Sequence, residues 1–377
     1  MARAGVQTRV VVLHRIVPPR AALRSGGAPT LHELAARLRQ PLHEVRDGIP
    51  VTYVPYVSPP RPSFYAYWGA WSAPVLGLAL RALRRSFDFD LVHAHNAVPA
   101  GDAVRRVDPA RPLVVSVHGS DVLYTARAGV AGAHAVRRTL EAASVVVANS
   151  AGTGELAASY GARRVRVVHL GAEAPREADG DVSAEHPLHR LAQELPEPTL
   201  VTAAHLVPRK RHADVIRAVA ALAERHPRLR YVVIGDGPAR DSLLALAASL
   251  GVAERVEIAG QLSPEEALER VRRGTLFVMP STEEAFGVAY IEAMAVGIPA
   301  IGARGEPGPE EIAAAGGGIE LVTAADVDSL ARLIDELLSS PERLRTLGER
   351  ARDTVAEHFT WRRCAEQTLG AYELAMQ

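Results

Sequence analysis

The sequence predicts an α/β protein of two doubly wound domains, and three observations point there. Short β-branched runs alternate with Ala/Leu/Arg-rich stretches of helical period along the chain, the pattern of βαβ units around parallel sheets buried on both faces. The length, 377 residues with 48% hydrophobic and 23% charged content, suits two domains and excludes one small module or a disordered chain. Charge divides as well: residues 1–170 carry 21 Arg against 10 Asp and Glu, and residues 171–377 carry 22 Arg and Lys against 33. A net charge of zero therefore hides halves of +11 and −11. Such a basic half suits an anionic partner, a phosphate-bearing acceptor or a membrane surface; drifted surface composition is the plain alternative.

The first element is the apolar run Val10–Leu13, which His14 and Arg15 cut off far short of a signal peptide's apolar region; it reads as a strand. Strands are expected over Arg9–Ile16, Val51–Val57, Asp90–His95, Leu113–His118, Ser144–Asn149 and Val165–Leu170, with a helix over Leu31–Arg39. A second set is expected over Thr199–His205, Arg230–Gly235, Arg255–Ala259, Thr275–Met279, Pro299–Gly302 and Gly318–Val322. Gly171–Pro198, rich in Pro, Glu, Asp and His, is the expected linker. No solenoid repeat or low-complexity tract interrupts this order.

The segment Phe64–Leu80 is uncharged, holds five aromatic residues and runs into Arg81, Arg84 and Arg85. At 17 residues with Pro74 inside, it is short for a bilayer span, which needs about 20 apolar residues. It suits either a membrane interface or a core helix feeding the next strand. Cys364 is the only cysteine, so neither an internal disulfide nor a multi-cysteine metal site can form, which fits a reducing, cytoplasmic setting. Of 43 basic residues only Lys210 is lysine. A chain otherwise committed to guanidinium has kept one compact ammonium, and the two groups differ in shape and hydrogen-bond geometry.

The richest motif is Pro280-Ser-Thr-Glu-Glu-Ala-Phe-Gly-Val288 followed by Ala289-Tyr-Ile-Glu-Ala-Met-Ala-Val-Gly-Ile-Pro299. It reads as a strand end, a turn carrying Glu284, and an Ala-rich helix beginning near Gly287. Unpaired N–H groups at that helix start favour a diphosphate, while Glu292, farther along the helix, can accept hydrogen bonds from ligand hydroxyls. This frame resembles the retaining nucleotide-sugar glycosyltransferases of glycosyltransferase family 4: two Glu residues separated by seven, with Pro280, Ser281, Phe286, Gly287, Ala293, Met294, Ala295, Gly297 and Pro299 in register. The resemblance implies the GT-B fold, two Rossmann-like domains facing across a cleft with a C-terminal helix crossing back to the N-terminal one. It implies an acceptor domain over 1–171, a linker over 172–198, a donor domain over 199–357 and the crossing helix over 358–377, the last announced by Phe359-Thr-Trp361.

The same resemblance supplies roles. Glu284 would bind donor-sugar hydroxyls and Glu292 the nucleotide ribose, with Phe286, Gly287 and Val288 beside them; Glu283 is a rival to Glu284. Arg209 and Lys210, in Leu206-Val-Pro-Arg-Lys-Arg211, look like the family's diphosphate clamp, fixed cations that stabilise leaving-group charge without a metal; a solvated basic turn is the alternative. Gly235 and Gly237 resemble a Gly-x-Gly-Pro turn of structural role near the nucleotide, and Leu262 follows the strand where the family holds the base. His118 and Asp121, in His-Gly-Ser-Asp, resemble the motif beside donor sugar and acceptor, with a buried structural histidine as the competing reading. Gly26 and Gly27, in the loop before the first helix, would approach the diphosphate.

Two patterns are set aside. Asp88-Phe-Asp90 resembles a metal-binding Asp-x-Asp but only enters a strand, and His93 with His95 shares a strand face without a third metal ligand. The resemblance therefore implies retaining, metal-independent hexosyl transfer from a nucleoside-diphosphate sugar to a hydroxyl acceptor, with no cofactor and no nucleic-acid partner; the single cysteine suggests a cytoplasmic location, and the basic half with the aromatic segment suggests a peripheral one on the inner face of the cell membrane. A lipid-linked saccharide or polysaccharide precursor at an anionic membrane is the acceptor class the basic half suggests. The alternatives are a sugar-nucleotide epimerase or phosphorylase of the same fold, or a catalytically silent binding protein.

Overall fold

A computed structural model describes residues 5–17, 27–61, 63–173 and 197–377. Gly26 and most of the linker expected over 172–198 lie outside the described residues. The chain divides into two units, Met1–Val168 with Ala365–Gln377, and His169–Cys364. The helix Trp361–Met376 begins in the second and ends in the first, where Tyr372 meets His93.

In the first unit β1 (Val10–Arg15), β2 (His43–Arg46) and β3 (Ile49–Tyr56) form a sheet of order β1-β3-β2, with β1 and β3 parallel and β2 antiparallel to β3. The short β2 is absent from the sequence-based expectation. Its signal was Asp47-Gly48, both at positive φ (49° and 78°), the dipeptide that closes tight hairpins. The next four strands, β4 (Val92–His95), β5 (Leu113–Val117), β6 (Val145–Ala148) and β7 (Val165–Val167), are parallel neighbours in that order. β5 and β6 are buried along their whole length, which explains why their Val runs do not alternate with polar residues. The helix Gly27–Leu38 starts earlier than expected, so Gly27 opens a helix and does not sit in a loop; Pro29 is tolerated there because first-turn N–H groups have no intrahelical partner.

The aromatic segment forms the helix Trp68–Arg84, as the core-helix reading expected. Trp68, Ser72, Leu76 and Leu80 are buried along one face. On the other, Tyr67, Trp71 and Leu78 are 50%, 50% and 64% exposed, and Phe64 just before it is 44% exposed. Among the described residues no helix is long and apolar enough to cross a membrane.

The second unit holds β8 (Thr199–Ala203), β9 (Arg230–Ile234), β10 (Val256–Gly260), β11 (Leu276–Val278), β12 (Ala300–Ala303) and β13 (Ile319–Val322) in one parallel sheet of order β10-β9-β8-β11-β12-β13. Helices cover both faces: Tyr231, Ile216 and Ile334 lie in one core, and Phe277, Tyr290 and Met294 in the other. The order reverses between β8 and β11. Connections from these neighbours leave to opposite faces, so a crevice opens beyond their carboxyl ends, the place where open α/β sheets take ligands.

Candidate active site

Both polar motifs of the acidic half converge at that reversal. β8 leads to the turn Pro208–Lys210, and β11 leads to the loop that ends at Gly287. The two are laced together, the Thr282 N–H donating to the Arg209 carbonyl at 2.8 Å. Lys210 Nζ donates to Glu284 Oε2 at 2.5 Å, and Ser281 Oγ donates to the same oxygen at 3.0 Å. The Lys210 and Glu284 side chains are only 12% and 10% exposed, so each charge is withdrawn from water and answered by the other. Tyr290 braces the loop from below: its hydroxyl donates to the Met279 carbonyl and lies 3.2 Å from Ser281 Oγ.

Gly287 caps the helix Val288–Ala295 in the left-handed region, φ 85°, and a Cβ there would lie 2.4 Å from Tyr290 Cδ2. Only glycine lets the loop turn into the helix at this distance. Glu292 stands on the second turn, exposed to solvent, yet neighbouring protein desolvates its carboxyl enough to raise its pKa. Val288 is half-buried at the helix start. Phe286 is enclosed, stacked at 5.4 Å on His169 and packed on Phe359, so only its backbone is available to a ligand. His169 also shares a 2.6 Å hydrogen bond with Glu311.

Glu306 was not legible as part of this site. Its carboxylate accepts the Glu284 backbone N–H at 2.7 Å, across a gap of 22 residues that no local pattern reveals. Gly235 and Gly237 serve close packing: a Cβ on Gly235 would meet the Ala204 carbonyl at 2.1 Å, and one on Gly237 the Leu206 carbonyl at 2.6 Å. They seat the β9 turn against the segment leading to Lys210. Leu262 is half-buried against the core containing Phe286.

In the first unit, His118 and Asp121 follow β5 through Gly119 at φ 94°. Three imidazoles gather here, which spacing along β4 alone did not reveal. His93 and His95 stack with centroids 4.6 Å apart, and His95 and His118 lie parallel within 1° at 5.6 Å, sharing a 3.4 Å hydrogen bond. His93 spends one ring nitrogen on Ser116 (2.7 Å) and the other on Tyr372 (2.8 Å), which leaves it no lone pair for a metal. Among the described residues no three His, Cys, Asp or Glu side chains are placed to hold a metal ion. Burial holds these rings neutral, lowering His93 to about 3 and His118 to about 4.

Asp121 is fully buried. Its Oδ1 accepts the Val98 N–H at 3.3 Å, but Oδ2 has no partner among the described residues, and burial pushes the carboxyl up to about 6. Asp88 and Asp90 are exposed on either side of the buried Phe89, as a strand entry requires.

A family model described as glycosyl transferases group 1 matches residues 189–354, and one described as glycosyltransferase family 4 matches residues 1–174. Among curated proteins, a D-inositol 3-phosphate glycosyltransferase of Catenulispora acidiphila is 31% identical over 370 residues, covering 91% of this chain and 85% of that protein. A GDP-mannose-dependent alpha-(1-6)-phosphatidylinositol monomannoside mannosyltransferase of Mycolicibacterium smegmatis is 29% identical over 308 residues, 77% of this chain and 78% of its own. Among solved structures, sucrose-phosphate synthase of Thermosynechococcus elongatus superposes with a TM-score of 0.74 at 18% identity, over 97% of this chain and 98% of that one. That likeness shows the fold.

Proposed function

Because this chain belongs to the nucleotide-sugar glycosyltransferases of group 1 and family 4, with the GT-B fold, we propose that it moves a hexosyl group, with retention and without a metal, to a hydroxyl of a membrane-associated acceptor. The observation that carries the reading is the meeting of the sole lysine with the first signature glutamate, at the point where the sheet order reverses. In this scheme Arg209 and Lys210 take the diphosphate, and their fixed charge stabilises the leaving group as its bond to the sugar breaks. Glu284 turns to the sugar hydroxyls once Lys210 has a phosphate to face, and Glu292 holds the ribose. The acceptor hydroxyl attacks the anomeric carbon from the face the diphosphate vacates, and the departing phosphate oxygen takes its proton. On the first unit, His118 and Asp121 serve the acceptor.

The acceptor assignment draws on the basic half and on the apolar stripe Phe64, Tyr67, Trp71 and Leu78, which runs into Arg81 and Arg85 and suits an anionic membrane surface. It also fits the M. smegmatis relative, whose name gives it a phosphatidylinositol mannoside acceptor. A thermal-shift panel of UDP, GDP and ADP tests the donor side. A nucleotide at 100 times its dissociation constant should stabilise the protein by ~2.7 kcal/mol. If none of the three shifts the wild type, or if Lys210→Met leaves the shift intact, the donor assignment is overturned.

A further inference from the structure

Some arginines of the first unit are paired with a carboxylate and others are not. Arg84, Arg105, Arg106 and Arg111 each face an Asp, at Asp102, Asp108 or Asp88. Arg15 and Arg61 do not. Among the described residues no carboxylate pairs with either, although both guanidiniums rest on the same indole: Arg15 Cζ lies 4.9 Å and Arg61 Cζ 5.1 Å from the Trp68 ring centroid. Two like charges brought onto one ring repel, and an anion that joined them would offset the cost that the ring contacts leave.

Arg15 is held in place by hydrogen bonds, and the exposed Arg61 rests on two aromatic rings. Arg15 ends β1 and spends its N–H groups on neutral oxygens, Nε on Ser58 Oγ (3.1 Å), Nη2 on the Ser58 carbonyl (3.0 Å) and Nη1 on the Val17 carbonyl (2.6 Å). Burial lowers its pKa, Tyr56 opposes that, and the neighbouring Arg37 and Arg61 add to it. Arg61 lies 3.7 Å over Tyr65 and makes no hydrogen bond or ion pair among the described residues, so its planar fork is oriented yet unspent. Tyr65 is itself fixed, its hydroxyl donating to the Val98 carbonyl at 2.7 Å, and Trp68 Nε1 donates to the Pro59 carbonyl at 2.9 Å. This is a rigid aromatic platform carrying two cations beyond the carboxyl ends of β1 and β3, the side of a parallel pair where ligands bind.

We infer that Arg15 and Arg61, seated on Trp68 and Tyr65, form a binding site for a phosphate ester carried by the acceptor. Two guanidinium groups suit a tetrahedral dianion better than a single carboxylate, and the stacked fork of Arg61 offers it paired donors. Only the word acceptor rests on the transferase reading; the anion site itself does not.

The test crosses two variants with two ligand types, by calorimetric titration of the full chain. Glycerol 3-phosphate should bind wild type where glycerol and succinate do not, and Arg61→Gln should weaken it at least ~10-fold, with Arg61→Lys between the two. Lys210→Met should leave glycerol 3-phosphate binding unchanged and weaken the nucleoside diphosphate; Arg61→Gln should do the reverse. The site is overturned if Arg61→Gln binds glycerol 3-phosphate like wild type, if succinate binds equally well, or if Lys210→Met causes the same loss, which would put the phosphate in the donor pocket. A wild type that binds glycerol 3-phosphate but no nucleoside diphosphate would support this site and sink the donor reading instead. Phosphatidic acid in phosphatidylcholine vesicles, run beside the soluble ester, separates the sources: Arg61-dependent binding only on vesicles assigns a lipid headgroup, and Arg61-dependent binding in solution assigns a free phosphate ester.

Discussion

The strand-to-helix junction after β11 and the one after β5 are built alike and charged differently. Each leaves a buried parallel strand, turns through a glycine at positive φ (Gly287 at 85°, Gly119 at 94°) and presents a carboxylate within a few residues. After β11 that carboxylate, Glu284, is answered by Lys210 and Ser281. After β5 it is Asp121, fully buried, with Oδ1 on the Val98 N–H and Oδ2 unpartnered among the described residues. The contrast lies between the two junctions: the carboxylate after β11 is buried in an ion pair, whereas the one after β5 is buried with no ion pair among the described residues and its pKa rises to about 6. The Glu284 charge is answered by a cation, whereas Asp121 carries its charge near pH 7 against the pull of burial.

Breaking the ionic junction should have the largest effect. Lys210→Met removes the cation from the proposed diphosphate site and leaves Glu284 with Ser281 alone; turnover should fall ~100- to 1000-fold, the usual loss for one charge-stabilising donor. Activity within a few-fold of wild type would remove the ionic side of the comparison.

Asp121→Asn probes the unpaired junction. The folded state holds the Asp121 proton up to about 6 against an ordinary 3.8, so this group's contribution to stability falls as pH rises through that window. His93 and His118, lowered to about 3 and about 4, act in the opposite direction: the unfolded chain takes up their protons first as pH falls below 6.5, and stability is lost toward acid. Asp121→Asn should therefore stabilise the protein at pH 7 by on the order of 2–3 kcal/mol and steepen its loss between pH 6 and 4. Thermal unfolding across pH 4–8 measures both; an unchanged profile would mean the Asp121 carboxylate is solvated after all.

Gly287→Ala sharpens the geometric half of the comparison. It forces a Cβ into a left-handed residue and against Tyr290, and should cost about 2 kcal/mol in unfolding free energy. A cost near zero would show that the junction relaxes. The smallest effect belongs to the exposed stripe: Trp71→Ser should weaken cosedimentation with anionic vesicles roughly fivefold. Binding should decline as salt rises, and equal pelleting with neutral vesicles would count against the arginines that follow the stripe.

Much of the second unit was legible because its chemistry is local. Ser281, Glu284, Gly287 and Glu292 lie within one strand–loop–helix passage, and Lys210 stood out by residue type alone. The first unit was less so. β2 escaped notice at four residues, and Gly27 was assigned to a loop when it opens a helix. His95 and His118 meet although 23 residues apart, and Glu306 reaches the Glu284 N–H across 22. Such contacts depend on which strands are neighbours, and periodicity reports only that a strand exists.

Alternating β-branched runs and helical stretches determined by themselves that the chain would build parallel sheets covered on both faces, because no other packing hides uninterrupted Val runs from water. Strand order belongs to the tertiary structure. By setting β8 beside β11 it joined Lys210 to Glu284, and by setting β4 beside β5 it stacked three imidazoles. By folding the start of the helix Trp68–Arg84 against β1 and β3 it left two arginines on one indole. Charge and hydrogen bonding act over a few ångströms, so what these side chains can do was decided only when the fold chose their neighbours.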